Sequence, residues 1–317
     1  MTPLPRSPDP GAEPLDMVTD ERSAVADPDD VSSDATASRR PDHKPVVEVV
    51  GGRGRLTFAG LQELWHFREV LWAFSVRAVK VRYKQAAVGV GWAVLQPVIA
   101  AAIFALFLGR YTKVESEGVP YLLFALAGMV AWTYFSNATL NGANALVENE
   151  SMLRKLYFPR EILPLSAVLA SLVDLLPGIG VLAIAVILYG GSPDLAWLAV
   201  PVPVLLLLLF AAAVSVALSS VNVYYRDVRY ALPFVIQIGL FVSPVIYPLT
   251  TIPSEWRGIY AVLNPVATAI DDLRRVMLHG EWPDVVPTAA AFGWSLFLLL
   301  IAAAMFKRLE RGFSDRV

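Results

Sequence analysis

The chain has 317 residues, a length that would suit two soluble domains, but 56% of the residues are hydrophobic and the mean hydropathy is +0.54. This composition predicts instead that most of the chain lies in lipid. The absence of cysteine excludes disulfide bonds, thiolate catalysis and cysteine metal sites.

The N-terminal tail is acidic, although the formal net charge of the chain is only −2. Residues 1–45 carry five Arg and Lys against ten Asp and Glu, whereas the remainder carries 21 against 18. The tail has almost no large apolar side chains and cannot bury a core, so we predict that residues 1–56 are disordered. It also lacks the basic start and apolar stretch of a signal peptide. The membrane domain is predicted to occupy residues 57–317.

The first predicted helix is basic and amphipathic and runs from Leu61 to Lys84. At about 100° per residue its large apolar side chains cluster on one side, and most polar side chains gather on another. A helix with apolar and polar side chains on different sides lies in the membrane interface, where its cations favour the anionic cytoplasmic leaflet. The second half of the helix carries four of these cations: Arg77, Lys80, Arg82 and Lys84.

Six stretches are long and apolar enough to cross a hydrocarbon core of roughly 30 Å. They are residues 89–109, 119–140, 161–188, 199–221, 231–249 and 285–306. The fifth stretch is interrupted by Pro233, Pro244 and Pro248. The predicted fold class is an all-α polytopic membrane protein with six transmembrane helices.

The outer segment, residues 250–284, is too polar to cross the membrane. It is predicted to form two short helices, Ser254–Leu263 and Pro265–Leu278, with Asn264 and Pro265 as the turn between them. Short helices between spans five and six suit a re-entrant lid over a cavity. The alternative is that both helices lie on the outer surface.

The distribution of Arg and Lys predicts the orientation of the spans. These cations precede span one, lie between spans two and three and between spans four and five, and follow span six. The opposite side has only Arg110, Lys113, Arg257, Arg274 and Arg275. We therefore predict that both termini are cytoplasmic.

The loop between spans two and three, residues 144–161, mixes apolar and charged side chains and meets a helix-stopping residue at Pro159. This pattern predicts a short amphipathic helix on the cytoplasmic side. Such a helix either docks into a groove of a partner protein or covers the ends of its own spans.

Asp174 lies well inside span three, where a carboxylate is costly unless it is protonated, paired or exposed to water. One hypothesis makes it part of a proton relay. The other makes it a neutral or hydrogen-bonded residue that fixes helix packing near Pro177 and Gly178. No second ionisable residue within the spans is evident as its partner, so we favour the packing role.

Enzymatic motifs are absent from the sequence: it has no GxxxxGK[ST] phosphate-binding loop, no HExxH and no GxSxG. The histidines, His43, His66 and His279, are too scattered in the predicted topology to form a metal site. Catalysis would have to depend on Asp271 and Asp272, but adjacent carboxylates on a helix point about 100° apart and usually form a solvated face. We therefore expect no catalytic site and no metal site.

Four stretches together resemble one known family. KVRYKQAAVGVGWAVLQPV (Lys80–Val98) is similar to the start of the first span in polysaccharide-export ABC transporter permeases, the Wzm-like and TagG-like membrane subunits that export O-antigen, teichoic acid, capsular or galactan polymers. LRKLYFPREILPLSAVL (Leu153–Leu169) resembles their coupling segment. NVYYRDVRYALPFVIQIGLFVSPVIYPL (Asn222–Leu249) and LNPVATAIDDLRRVML (Leu263–Leu278) resemble their fourth loop, fifth span and outer helices. The similarity covers about residues 60–310.

This resemblance implies the permease half of a transporter in the bacterial cytoplasmic membrane. Two copies would form the channel, together with two copies of a separate ATPase subunit that binds ATP and Mg²⁺. This chain itself would bind no cofactor and no nucleic acid. The cargo would be an undecaprenyl-pyrophosphate-linked glycan or a similar lipid-linked polymer.

The resemblance also implies roles for particular residues. The segment that couples to the ATPase would comprise Glu148, Asn149, Glu150, Ser151, Met152, Leu153, Arg154 and Lys155. The lipid-pyrophosphate head group would meet Arg77, Lys80, Arg82 and Lys84, for which anchoring to anionic membrane lipid is the competing role. The outer helices would form part of the exit gate. Possible pore-lining aromatic residues are Trp92, Phe104, Phe241 and Tyr247.

Two functions from other classes remain as alternatives. An ion-coupled carrier would have Asp174 at its centre. A membrane glycosyltransferase would need acidic residues on the outer face, such as Asp271 or Asp272.

Overall fold

The computed structural model describes residues 65–84, 91–112, 116–153, 158–225 and 227–310. These residues belong to one compact unit, Arg53–Val317. The predicted disordered tail, residues 1–56, lies outside the described residues. Regular structure in the described part is helical, as the composition predicts.

The helices follow the chain in a simple order. They are α1 (Arg68–Tyr83), α2 (Gly91–Phe104, continued by the π-helix Ala105–Thr112), α3 (Tyr121–Glu148), α4 (Glu150–Leu153), α5 (Ile162–Leu188), the 3-10 helix Leu195–Ala199, α6 (Pro201–Tyr224), α7 (Asp227–Val242), the 3-10 helix Leu249–Thr251, α8 (Ser254–Leu263), α9 (Pro265–Arg274, continued by the π-helix Arg275–His279) and α10 (Val285–Glu310).

Five helical stretches in the described part are long and apolar enough to cross a membrane: Gly91–Gly109, Tyr121–Glu148, Ile162–Leu188, Leu195–Tyr224 and Val285–Glu310. They correspond to five of the six predicted spans. The chain is therefore a polytopic membrane protein.

The prediction of a sixth span at residues 231–249 is not confirmed. Helix α7 has 16 residues, which at 1.5 Å per residue gives it a length of about 24 Å, short of a typical hydrocarbon core. It ends at Val242 because Pro244 has no N–H group to bond the carbonyl of Leu240. Pro248 likewise cannot donate to the carbonyl of Pro244, so the helix does not resume.

Helix α3 lies at the centre of the bundle, where 19 of its 28 residues are buried. Helices α2, α5, α6 and α9 all pack against it. The sequence predicted that this span ends at residue 140, but the helix continues to Glu148. Its polar extension is stabilised by α6, because the Nδ2 of Asn222 donates to the carbonyl of Ala143 at 2.9 Å and to the Oδ1 of Asn144 at 3.0 Å.

Small residues allow α3 and α6 to approach each other closely. A Cβ atom added at Gly142 would lie 2.5 Å from both the Cβ and the Oγ of Ser215. The hydroxyl of Ser215 donates to the carbonyl of Ala138 at 3.3 Å, one turn away from Gly142. Close approach through small residues is a common way of associating transmembrane helices.

We predict that Gly142→Ala destabilises the protein by about 1–3 kcal/mol, because the added methyl group overpacks this crossing. The matched control is Gly180→Ala in α5, where an added Cβ meets nothing within 4 Å. Thermal unfolding of the purified variants in detergent measures the difference. Equal midpoints for the two variants would contradict the prediction.

Candidate functional site

Helix α1 packs against a cluster of apolar residues at the bundle end that is predicted to face the cytoplasm. This cytoplasmic cluster consists of Ala145, Leu146, Phe158, Ile162, Leu163, Val216, Ala302 and Phe306. The rings of Phe74 and Phe158 lie 5.1 Å apart between centroids. The residues in and just before α1 that make this contact are Phe67, Val70, Leu71 and Phe74. Trp65 and Trp72, which the sequence placed on the same apolar side as Leu71, are 72% and 70% exposed. The prediction of a single apolar side is therefore not confirmed.

The C-terminal end of α1 reaches the middle of α5. The guanidinium of Arg82 and the hydroxyl of Tyr83 donate to the two carboxylate oxygens of Asp174. Asp174 is the 13th residue of α5, about 18 Å from the start of that helix. Helix α1 therefore runs beside α5 instead of being confined to the membrane interface.

The ion pair corrects one sequence-based premise, that Asp174 has no ionisable partner. Arg82 is that partner, and it comes from α1 rather than from another span. Only 9% of the Asp174 side chain is exposed, so the paired charge has little access to water. A carboxylate inside a membrane domain requires such a partner, which explains why α1 extends as deep as it does.

The four cations predicted to meet a head group do not form one cluster. The guanidinium of Arg77 donates to the sulfur of Met152 in α4, and that of Arg82 donates to Asp174. Lys80 and Lys84 are exposed and, with Arg77, line an open groove along α1 whose described lining residues all belong to α1 and its C-cap. The helical repeat explains this division, because at 100° per residue Arg82 points about 140° away from Arg77.

The predicted coupling helix is shorter than expected. Glu148 is the last residue of α3, Asn149 caps that helix by donating to the carbonyl of Ala145 at 2.9 Å, and α4 comprises only Glu150–Leu153. Asn149 ends the helix because its amide turns back onto the preceding turn. Of the remaining predicted residues, Ser151 is exposed, Leu153 packs against the cytoplasmic cluster, and Arg154 and Lys155 lie outside the described residues.

The structure places the four candidate pore aromatics in separate surroundings. Trp92 and Phe104 lie near opposite ends of α2, about 18 Å apart along its axis. Phe241 is exposed near the end of α7. Tyr247 follows that helix, and its hydroxyl donates to the carbonyls of Phe241 at 3.2 Å and Val242 at 2.7 Å, so these two candidates alone lie close together.

The outer segment contains the two predicted short helices. Helix α8 has the predicted bounds, Ser254–Leu263, and α9 begins at Pro265 as expected but becomes a π-helix after Arg274. Asn264 caps α9 by accepting a hydrogen bond from the backbone N–H of Ala267 at 3.3 Å.

The adjacent carboxylates of Asp271 and Asp272 have different surroundings. The Oδ2 of Asp272 accepts a hydrogen bond from the hydroxyl of Thr288 in α10 at 2.7 Å, and burial raises the pKa of Asp272 to about 6. Asp271 lines an outer groove of about 690 Å³ together with Glu117 and His279. Burial raises its pKa, and the charge of Glu117 raises it further. The two carboxylates therefore do not act on a common point.

Sequence reasoning missed the role of Arg274, which it treated only as a cation on the outer side. The structure buries this side chain completely, with its guanidinium against backbone carbonyls. One signal in the sequence was available: Pro244 and Pro248 are four residues apart, so the carbonyl of Pro244 cannot find a helical N–H partner.

Comparison with known proteins gives one family match. The family described as "ABC-2 type transporter" matches residues 69–278.

Individual relatives match over most of their length. An O-antigen export system permease protein, RfbA, from Myxococcus xanthus is 27% identical over 81% of this chain and 98% of the relative. A protein of the same name from Klebsiella pneumoniae is 24% identical over 80% of this chain and 96% of the relative. The polysialic acid transport protein KpsM from Escherichia coli is 21% identical over 75% of this chain and 92% of the relative.

We predict that Arg82 and Asp174 are energetically coupled. Asp174→Asn and Arg82→Gln each leave a polar partner unsatisfied, so the double variant should be less destabilised than the sum of the single variants by about 1–3 kcal/mol. Unfolding of the four proteins in detergent measures this coupling. Lys80→Gln serves as the control, because its effect should add to that of Asp174→Asn within about 0.5 kcal/mol. Simple additivity for the Arg82 variant would contradict the contact.

We predict that Asp272 makes the protein less stable as the pH rises from about 4 to about 6. Its pKa is about 6 when folded, against 3.8 as the ordinary value, so the folded state binds more protons in this window. Asp272→Asn should therefore remove this pH dependence and unfold at a higher temperature than the parent protein at pH 7.5. Thermal unfolding at pH 4.5 and 7.5 tests this expectation. An unchanged pH dependence in the variant would show that Asp272 does not contribute.

Proposed function

The chain belongs to the ABC-2 type transporter family, and from this premise we propose that it is the membrane permease subunit of an ABC exporter for a lipid-linked polysaccharide. The near-complete match to permeases named for O-antigen export carries this proposal, since the chain covers 98% and 96% of two such relatives. A relative named for polysialic acid transport belongs to the same group of matches. These names support a polysaccharide as cargo, and the resemblance found in the sequence adds capsule, teichoic acid and galactan types to O-antigen as candidates.

The proposed complex contains two copies of this chain and two copies of a separate ATPase subunit that binds ATP and Mg²⁺. The location is the bacterial cytoplasmic membrane, with both termini in the cytoplasm, as the distribution of Arg and Lys predicts. The coupling segment, Glu148–Lys155, would contact the ATPase. Exposed Ser151 and the partly buried Leu153 support this assignment, because one is accessible to a partner and the other contacts the bundle.

Contacts of α1 provide a physical route from the coupling segment into the membrane. A movement of α4 would displace α1 through the contact between Met152 and Arg77. Helix α1 would then act on α5 through the ion pair between Arg82 and Asp174. ATP-driven movement at the ATPase would in this way change the position of a transmembrane helix.

Lys80 and Lys84 are the residues proposed to meet the pyrophosphate head group of the cargo. Both are exposed and line the groove along α1, whereas Arg82 is paired with Asp174. Ammonium groups attract phosphate without requiring a fixed geometry, which suits a head group that must also leave. The outer segment would form part of the exit gate.

An ion-coupled carrier would require Asp174 to exchange its proton or ion during transport. In the structure its carboxylate instead accepts hydrogen bonds from both Arg82 and Tyr83, which join it to α1. The geometry therefore favours a positioning role for Asp174 within an ATP-driven exporter.

Purification of the detergent-solubilised protein from its native host tests the proposed function directly. We expect an ATPase to co-purify with it and polymer export to stop when ATP is depleted. Absence of an ATPase partner together with export that survives ATP depletion would contradict the proposal. Transfer of sugar to a lipid acceptor by the purified chain would instead support a glycosyltransferase.

We predict that replacing Lys80 and Lys84 with Gln reduces export by about tenfold or more, because each cation near a membrane surface contributes about 1 kcal/mol of attraction for an anionic group. The amount of protein in the membrane should remain unchanged. Quantitative detection of polymer at the cell surface and of the chain in membranes measures both effects. Arg68→Gln is the control, since it removes a cation of the same helix outside the groove. Loss of insertion in the Lys variants would favour a role in lipid anchoring.

A further inference from the structure

The end of α7 leaves backbone carbonyl groups without helical partners. Helix α7 ends at Val242, and neither Pro244 nor Pro248 has an N–H group to donate. We call residues Ser243–Pro248 the outer break. Because α7 is only about 24 Å long, the outer break begins at a depth where lipid offers no hydrogen-bond donors.

Side chains from the outer segment and the outer break supply the missing donors. The hydroxyls of Tyr247 and Tyr260 both donate to the carbonyl of Val242. The Nδ2 of Asn264 donates to the hydroxyl of Ser243 at 3.0 Å. Irregular backbone at membrane depth is stable only when protein surrounds and satisfies it in this manner.

Arg274 donates to two adjacent carbonyls of the outer break, and the hydroxyl of Tyr121 in α3 donates to the carbonyl of Ile246 at 2.6 Å. Its Nη1 donates to the carbonyl of Pro244 at 2.9 Å, and its Nη2 donates to that of Val245 at 2.6 Å. Its Nε donates to the carbonyl of Phe124 in α3 at 3.3 Å, and its guanidinium lies 3.5 Å from the centroid of the Phe124 ring. One side chain thus joins α9, the outer break and α3.

The charge of Arg274 persists although the side chain is only 1% exposed. Burial lowers its pKa to about 10, which leaves it protonated at neutral pH. Its hydrogen-bond partners among the described residues are carbonyl oxygens, so the guanidinium occupies a cage of backbone dipoles. A planar group with five N–H donors suits this cage better than any other side chain.

Gly128 in α3 leaves the space that the outer break and the guanidinium of Arg274 occupy. A Cβ atom there would lie 2.3 Å from the carbonyl oxygen of Val245 and 2.7 Å from the Nη2 of Arg274. Only glycine allows the outer break to approach α3 so closely.

The two helices of the outer segment differ sharply in burial. Nine of the ten residues of α9 are buried, whereas Ala261 is the only buried residue of α8. We propose that Arg274 is a positioning residue that fixes α9 and the outer break to α3. This inference does not depend on the proposed export function.

Thiol labelling can test the role of Arg274, because the chain contains no cysteine of its own. In Val245→Cys the single thiol replaces a residue that is 0% exposed, so reaction with N-ethylmaleimide in membranes should be slow. Adding Arg274→Gln should increase the labelling rate at least about tenfold, which corresponds to about 1.4 kcal/mol in the opening equilibrium. Adding Arg275→Gln should not, since Arg275 pairs with Glu281 on a more exposed surface.

Two further variants keep the test decisive if Arg274→Gln does not accumulate. Gly128→Ala pushes on the same carbonyl from α3 and should also expose Val245→Cys. Arg274→Lys retains the charge with fewer donors, so it should give an intermediate labelling rate. Equal labelling in the Arg274 and Arg275 variants, or no effect of Gly128→Ala, would overturn the positioning role.

Discussion

Charged groups and irregular backbone at membrane depth need partners within the protein, and the two least expected features of the fold follow from that constraint. Asp174 is satisfied by Arg82 and Tyr83, which requires α1 to run alongside α5. The carbonyls of Pro244 and Val245 in the outer break are satisfied by Arg274, which requires α9 to enter the bundle and contact α3. The positions of α1 and α9 therefore follow from the need to supply hydrogen-bond donors to groups inside the membrane domain.

Local signals in the sequence predicted most helices but not how far α1 and α9 reach into the bundle. The apolar spans and the bounds of α8 were predictable because hydropathy, proline and a capping asparagine act over a few residues. The short length of α7, the helix of the fifth predicted span, could have been anticipated from Pro244 and Pro248. The ion pair of Arg82 with Asp174 and the contact of Arg274 with Phe124 could not, since these partners lie 92 and 150 residues away along the chain. Which cation of α1 would face the protein also depended on where α5 placed its carboxylate.

Arginine and lysine have separate roles along α1. Arg77 and Arg82 each form a directed contact with another helix. Lys80 and Lys84 remain exposed beside the groove along α1. This division follows from chemistry, because a rigid planar guanidinium holds a fixed geometry and a flexible ammonium adapts to a changing one. Arginines that contact other helices and lysines proposed to contact the cargo thus alternate along α1.

The central position of α3 has a consequence for how the protein is made. Among the five spanning stretches of the described part, α3 is the least apolar and also the most buried. It leaves the ribosome before α5, α6 and α9, which supply most of its packing, have been synthesised. Until those helices arrive, its polar face borders lipid or the insertion machinery. Biogenesis of this permease therefore depends on the order of translation, and a delay after α3 would expose the segment that the finished bundle hides best.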